Sequence, residues 1–173
     1  MDAVKIRNVS LDDIEQLQKI SRRTFSEAFS SNNKEENIAQ YLEEGFAAAK
    51  LAEEIRNENS EFWFAEIDDE VVGYLKVNLG NAQTELKDEE AIEIERIYVL
   101  KEYHGQKVGQ SLYEKAIEVA RQRNAEYVWL GVWEENPRAI RFYEKNGFVG
   151  FDRHIFRLGD EEQTDIMMRL RLK

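Results

Sequence analysis

Apolar residues recur along this chain with two periods, one near 3.6 and one of 2, and the order in which they alternate sets the expected architecture. VKIRNV (4–9) reads as a short strand. Ser10 as N-cap, with Asp13 three residues later, opens a helix running to about Phe29, with Ile14, Leu17, Ile20 and Phe25 on one face. A second helical stretch holds Ile38, Tyr41 and Leu42; Gly45 interrupts it, and a third is patterned on Leu51 and Ile55. FWFAEI (62–67), a turn at Asp68-Asp69-Glu70, and VVGYLKVNL (71–79) form a hairpin, and 80–90 reads as a polar loop. AIEIERIYV (91–99) is then a strand, and VGQSLYEKAIEVARQRN (108–124) a helix burying Val108, Leu112, Ala116 and Val119. YVWLGVW (127–133) is a near-continuous apolar run, as a strand covered on both faces requires. Asn136-Pro137 caps the next helix and Gly147 ends it. FVGFDRHIFRL and QTDIMMRLRL, around Gly159-Asp160-Glu161, are the last strands, so the class is α/β (α+β).

Length and composition narrow the classes. The 173 residues suit one domain, 1–173, with enough apolar surface at 42% hydrophobic residues to fold. No run of about 18 apolar residues occurs, and MDAVKIRNVS has neither a basic nor an apolar leader segment. The expectation is a cytoplasmic protein with no membrane partner. Zero cysteines exclude disulfides and thiolate chemistry, and two histidines leave little for a metal centre, so no metal is expected. The net charge of -11 is uneven: 21 acidic against 10 basic residues in 1–90, but 14 against 14 in 91–173. Such a surface disfavours nucleic acid and suits a cationic partner, although excess acid also simply solubilises a protein.

Chemistry concentrates between Glu93 and Ala120. His104, Gly105, Gln106, Lys107, Val108 and Gly109 lie between a strand and a helix, where backbone N–H groups and the positive helix end can hold a pyrophosphate. An ordinary strand-to-helix turn has the same pattern, and the loop is neither a Walker loop nor a GxGxxG fingerprint. Alternation puts Glu93, Glu95, Ile97 and Val99 on one face of the strand and Ile94, Arg96 and Tyr98 on the other. Two carboxylates sharing a face are candidate proton acceptors; they equally suit a solvated strand.

RIYV (96–99), the loop five residues later, and NPRAIRFYEKNGF (136–148) together resemble the GNAT acetyltransferases. IEIERIYV, WLGVWEENPRAIRFYEKNGFV and GDEEQTDIMM resemble more closely the bacterial PaiA-like spermine/spermidine acetyltransferases, over nearly the whole chain. This implies a central mixed, mostly antiparallel sheet of about seven strands flanked by helices and splayed between the fourth and fifth. It also implies acetyl-CoA as co-substrate, paired with backbone of Ile97, Tyr98 and Val99, with its pyrophosphate on residues 104–109 and Gln110, and Asn136 lining the same slot. In the family's loop pattern, [QR]-x-x-G-x-[GA], His104 replaces Gln or Arg and Lys107 replaces the first Gly.

The resemblance gives Tyr143 the role of proton donor to the leaving thiolate and favours Glu95 as base, with Glu93 as substrate anchor or alternate base. Trp129, Trp133, Phe142 and Phe148 read as core, and His154 receives no role. The implied function is direct transfer of acetyl to a primary amine of a polyamine, with Glu35, Glu36, Glu43 and Glu44 as acceptor-site candidates. The competing readings are another small amine, a protein N-terminus, or a degenerate CoA-binding sensor. Dimers are common in the family, and the sequence leaves the oligomeric state open between monomer and homodimer.

Overall fold

The computed structural model describes residues 3–173. Seven strands form one sheet in the order β1-β2-β3-β4-β5-β7-β6. They are β1 (Lys5–Asn8), β2 (Ser60–Ile67), β3 (Glu70–Leu79), β4 (Ala91–Val99), β5 (Tyr127–Trp133), β6 (Val149–Leu158) and β7 (Glu161–Arg171). The helices are α1 (Ile14–Phe29), α2 (Glu35–Gly45), α3 (Ala48–Arg56), α4 (Val108–Gln122) and α5 (Pro137–Lys145). All strand pairs are antiparallel except β4 with β5.

Local chemistry fixes the element ends. Ser10 and Asp13 form the expected capping box, but on a single 3-10 turn that leads into α1. Asn136 accepts from the Ala139 N–H and Pro137 stands at the first turn of α5. The helix closes in a Schellman arrangement, Phe148 N–H to Tyr143 C=O and Gly147 N–H to Glu144 C=O, with Gly147 at φ 99°. The β2–β3 turn is shorter than expected: Glu70 pairs with Ile67, so only Asp68 and Asp69 cross, both at positive φ. That matches a type I′ hairpin, whose twist suits the strands.

Two cores flank the sheet. Leu17, Ile20, Phe25, Ile38 and Leu51 pack with Phe62, Phe64 and Tyr74, so α1–α3 cover one face. Val108, Leu112, Ala116 and Val119 pack with Leu75, Val77, Ile92, Ile94, Val128 and Leu130, so α4, joined by Tyr143 of α5, covers the other.

Parallel pairing of β4 and β5 runs from Ala91↔Tyr127 to Ile94↔Leu130 and stops, although both strands continue. Beyond that level the sheet is splayed, and the edge of β4 that faces β5 is left without a strand partner. β4 also departs from simple alternation. Lys76 pairs with Arg96 and the next residue, Val77, with Ile94, so Glu95 is the extra residue of a bulge. Ile92, Ile94, Ile97 and Val99 therefore face α4, while Glu93, Glu95, Arg96 and Tyr98 belong to the α1–α3 side. The expected grouping of Ile97 and Val99 with the two glutamates is thus corrected: one inserted residue inverts the phase of the strand.

Candidate active site

A cleft of about 1290 Å³ passes through the splay and opens towards both faces of the sheet. On the α4 side it is lined by the end of β4, the turn after it and the starts of α4 and α5. Ile97, Val99, His104, Gly105, Lys107, Val108, Gly109, Gln110 and Asn136 all lie on this wall, and so does Tyr143; Tyr98 lines the cleft from the α1–α3 side, and Gln106 does not line it. The N-terminus of α4 opens at Val108, presenting unpaired N–H groups there. Lys107 precedes it at φ 64°, the left-handed region that favours glycine.

His104 ties the two walls of this end together. Its Nε2–H donates to Val99 C=O at 2.9 Å, and its Nδ1 accepts from the Arg138 guanidinium. Because arginine only donates, Nδ1 is the accepting nitrogen of this imidazole and Nε2 the donating one. With Lys101, Lys107, Arg138 and Lys145 against the single carboxylate of Glu114 on α4, this end of the cleft is net cationic, so the residues present fit a nucleotide diphosphate such as that of acetyl-CoA. Tyr143 is 7% exposed, packed against Tyr113, Phe142 and Phe148. Burial, with a smaller push from Tyr113, raises its hydroxyl well above the ordinary phenol, so it keeps its proton at neutral pH.

The opposite end is acidic and is assembled from distant parts of the chain. Glu93 is 3% exposed; burial raises its carboxyl above the usual range despite hydrogen bonds from Thr84 and Asn78. The Thr84 N–H donates to Oε1 at 2.8 Å and the Thr84 hydroxyl to Oε2 at 2.5 Å. Thr84 itself is exposed and lines the cleft. It is positioned by its neighbour: Gln83, 1% exposed, accepts from the Trp129 indole at 2.7 Å and donates to Asp88 C=O at 2.8 Å. The segment read as a polar loop is therefore pinned to β5, and Thr84 is a site residue the sequence reading missed.

Glu95 has a different environment. Burial works against its charge, but Arg96 and Lys76 outweigh it and hold the carboxyl at about 2. Lys76 Nζ lies 2.8 Å from Glu95 and 2.8 Å from Glu54 of α3, and Arg96 bridges the same two carboxylates at 3.1 and 3.2 Å. This four-charge network, two acids and two bases, braces β3 and β4 against α3.

Residues from the last hairpin complete the acidic end. His154 lines the cleft, with Nε2 2.6 Å from Glu85, and its register partner Asp165 lines it too. Trp133 and Phe142, read as core, are partly exposed on the cleft wall, whereas Trp129 and Phe148 are buried at 1% and 3% exposure. Glu35, Glu36, Glu43 and Glu44 are not brought to the cleft: all four are exposed on α2, which turns Tyr41 inwards. The helical period that buries Ile38 and Tyr41 sends those glutamates outwards.

A splayed parallel pair, a cationic helix start and a buried tyrosine on the following helix meet in one cleft, and residues 14–148 match the Acetyltransferase (GNAT) family. The chain belongs to the GNAT acetyltransferases. It is an acetyl-CoA-dependent N-acetyltransferase. It is 41% identical to an uncharacterized N-acetyltransferase of Lactobacillus delbrueckii subsp. lactis, over 98% of both chains. It is 26% identical to the spermidine N(1)-acetyltransferase of Thermoplasma acidophilum, covering 84% of this chain and 88% of that one. Among solved structures, the PaiA N-acetyltransferase of Thermoplasma acidophilum in complex with coenzyme A aligns with TM-score 0.82 at 24% identity, over 98% and 99% of the two chains. Among the described residues, no helix is long and apolar enough to cross a membrane.

Proposed function

We propose that this GNAT enzyme acetylates a primary amine of a small cationic acceptor, a polyamine such as spermidine or spermine. The observation that carries the reading is the division of one cleft into a cationic end on the α4 face and an acidic end on the α1–α3 face. The likeness to a spermidine N(1)-acetyltransferase supports it.

Acetyl-CoA supplies an acetyl thioester whose carbonyl accepts the amine nitrogen. The N–H groups at the start of α4, with Lys107 and Arg138, hold its phosphates. The free edge of β4 at Ile97, Tyr98 and Val99 pairs with its amide arm, and Asn136 borders the same slot.

An amine acceptor is mostly protonated at neutral pH and must lose a proton before it attacks. Glu93 is the proton acceptor in this reading: its raised carboxyl is suited to the task, and Thr84 connects it to the cleft. The Thr84 hydroxyl passes its proton to Glu93 Oε2 as it takes one from the acceptor nitrogen. Tyr143 Oη gives its proton to the departing sulfur. Glu95, engaged by Lys76 and Arg96, holds the bulge and the floor of the site. Glu35, Glu36, Glu43 and Glu44, outside the cleft, contribute only to the negative field around its mouth.

The test is free-thiol release from acetyl-CoA with a panel of spermidine, spermine, butylamine and a peptide with a free N-terminus. Preference for the two polyamines is expected. Preference for the peptide assigns the enzyme to protein N-termini, and no release with any amine contradicts the amine reading.

A further inference from the structure

Asp165 is absent from the chemistry described so far, yet it stands at the mouth of the splay. Pairing of β4 with β5 ends at Ile94↔Leu130, so Glu95 and Gly131 are the first residues on either side of the opening. Asp165, on β7 beside β5, sends its carboxylate over Gly131: a Cβ built on that glycine would lie 3.4 Å from Oδ2. Gly131 thus leaves the space that the carboxylate occupies. Gly131 follows Leu130, which faces α4, so its open side and Asp165 are on the α1–α3 face with Glu93.

The Asp165 carboxylate is half-buried and has no hydrogen-bond donor among the described residues. The charged group acting on it is His154 of β6, which is itself paired with Glu85 from the 80–90 segment. Gly131 of β5 and the register partner Trp133 bring no charge. Such a carboxylate is costly to ionise without a cation beside it. Burial holds it up at about 6, with His154 pulling the other way. It is therefore mostly ionised and unpaired at neutral pH, a position at which a protein gives up stability in exchange for binding.

We infer that Asp165 is the acceptor-side ammonium anchor, an ion-pair partner for a protonated aliphatic amine group of the substrate at the mouth of the splay. The inference rests on the amine-acceptor reading of the cleft, and it adds the residue that selects a cationic over a neutral acceptor. The Asp165 carboxylate accepts N–H hydrogen bonds from the ammonium and no covalent bond changes at this residue. Its affinity for the amine is full well above pH 6 and falls as Asp165 takes up a proton through about pH 6.

The experiment compares wild type, Asp165→Asn and Asp165→Glu in three readouts: KM for spermidine, KM for acetyl-CoA, and Tm with and without spermidine. For Asp165→Asn the spermidine KM should rise about 10-fold or more, with the acetyl-CoA KM within about 2-fold. The ligand-free protein should melt about 2–4 °C higher at pH 7.5, because an unpaired buried charge has been removed. Wild type should lose affinity for spermidine as pH falls through about 6, the Asn variant should not, and Asp165→Glu should keep part of the affinity. An unchanged spermidine KM overturns the inference, and so does a raised KM that comes with a lower Tm and a raised acetyl-CoA KM, the pattern of a packing residue. If wild type releases no thiol with any amine, the catalytic reading fails, and the Tm shift decides the anchor: spermidine raising the Tm of wild type and Asp165→Asn equally overturns it.

Discussion

The two ends of the cleft are built in different ways. On the α4 face, the turn after β4, the start of α4 and α5 supply residues close in sequence: His104 to Gln110, Gln106 excepted, from one stretch, and Asn136, Arg138, Ala139, Phe142 and Tyr143 from another. On the α1–α3 face, Thr84, Glu85, Glu93, His154 and Asp165 converge from the 80–90 segment, β4, β6 and β7. The first end depends on backbone geometry, which short motifs encode. The second depends on side chains brought together by strand register, which no local pattern reveals.

The largest effect separates the two carboxylates of β4. Replacing Glu93 by Gln should lower kcat by about 10² to 10⁴-fold, with the acetyl-CoA KM little changed, because it removes the proton acceptor alone. Steady-state kinetics on the folded variant check this. A Glu95→Gln variant with the larger loss, and normal stability, would reverse the assignment.

Tyr143→Phe comes next, with kcat reduced about 10 to 1000-fold and cofactor affinity retained. Equal loss of cofactor binding, read by calorimetry, would make Tyr143 a packing residue. Gly109→Val probes the same end through its backbone. A Cβ there would meet Val99 at 3.9 Å, an ordinary contact, so the fold should hold while the acetyl-CoA KM rises strongly. An unchanged KM would remove residues 105–109 from the phosphate site.

How much of this was readable from the chain follows the same division. The seven strands, the splay between the fourth and fifth, and the helix caps at Asn136 and Gly147 follow from periodicity, capping chemistry and family pattern. The inversion of β4 at Glu95 was not readable, because a bulge leaves no mark in a run such as AIEIERIYV. That bulge puts Arg96 beside Glu95 and makes it a paired, structural carboxylate. Asp165 and His154 sit in a strand whose alternation reads as an ordinary hairpin, and only pairing with β5 brings Asp165 to the mouth of the cleft. The acidic excess of the first half was visible, but the period of α2 turns Glu35, Glu36, Glu43 and Glu44 away from the site. Gln83 sits in a polar run that marks none of its members, and its Trp129 partner is 46 residues away.

The structural role of Glu95 has a stability signature. Lys76→Met leaves Glu54 and Glu95 with less compensation and should cost about 3 kcal/mol, read as a lower Tm. The folded carboxyl of Glu95 lies below its unfolded value of 4.5, so its contribution is full above about pH 4.5 and is lost as pH falls through about 2. Acid titration of Tm should show that loss in wild type and a smaller one in Lys76→Met. Smallest of all is Lys107→Gly. Relief of the left-handed conformation should raise stability by about 1 kcal/mol.

Oppositely charged ends of one cleft, one for the cofactor and one for a cationic amine, form the centre of this account. Its most direct test is kcat/KM for spermidine and for butylamine measured from about 0.02 to about 0.5 M salt, a range over which the screening length contracts from beyond 20 Å to below 5 Å. The account predicts a steep fall for spermidine and a shallow one for butylamine. Equal kcat/KM for the two amines, with the same salt dependence, would contradict it.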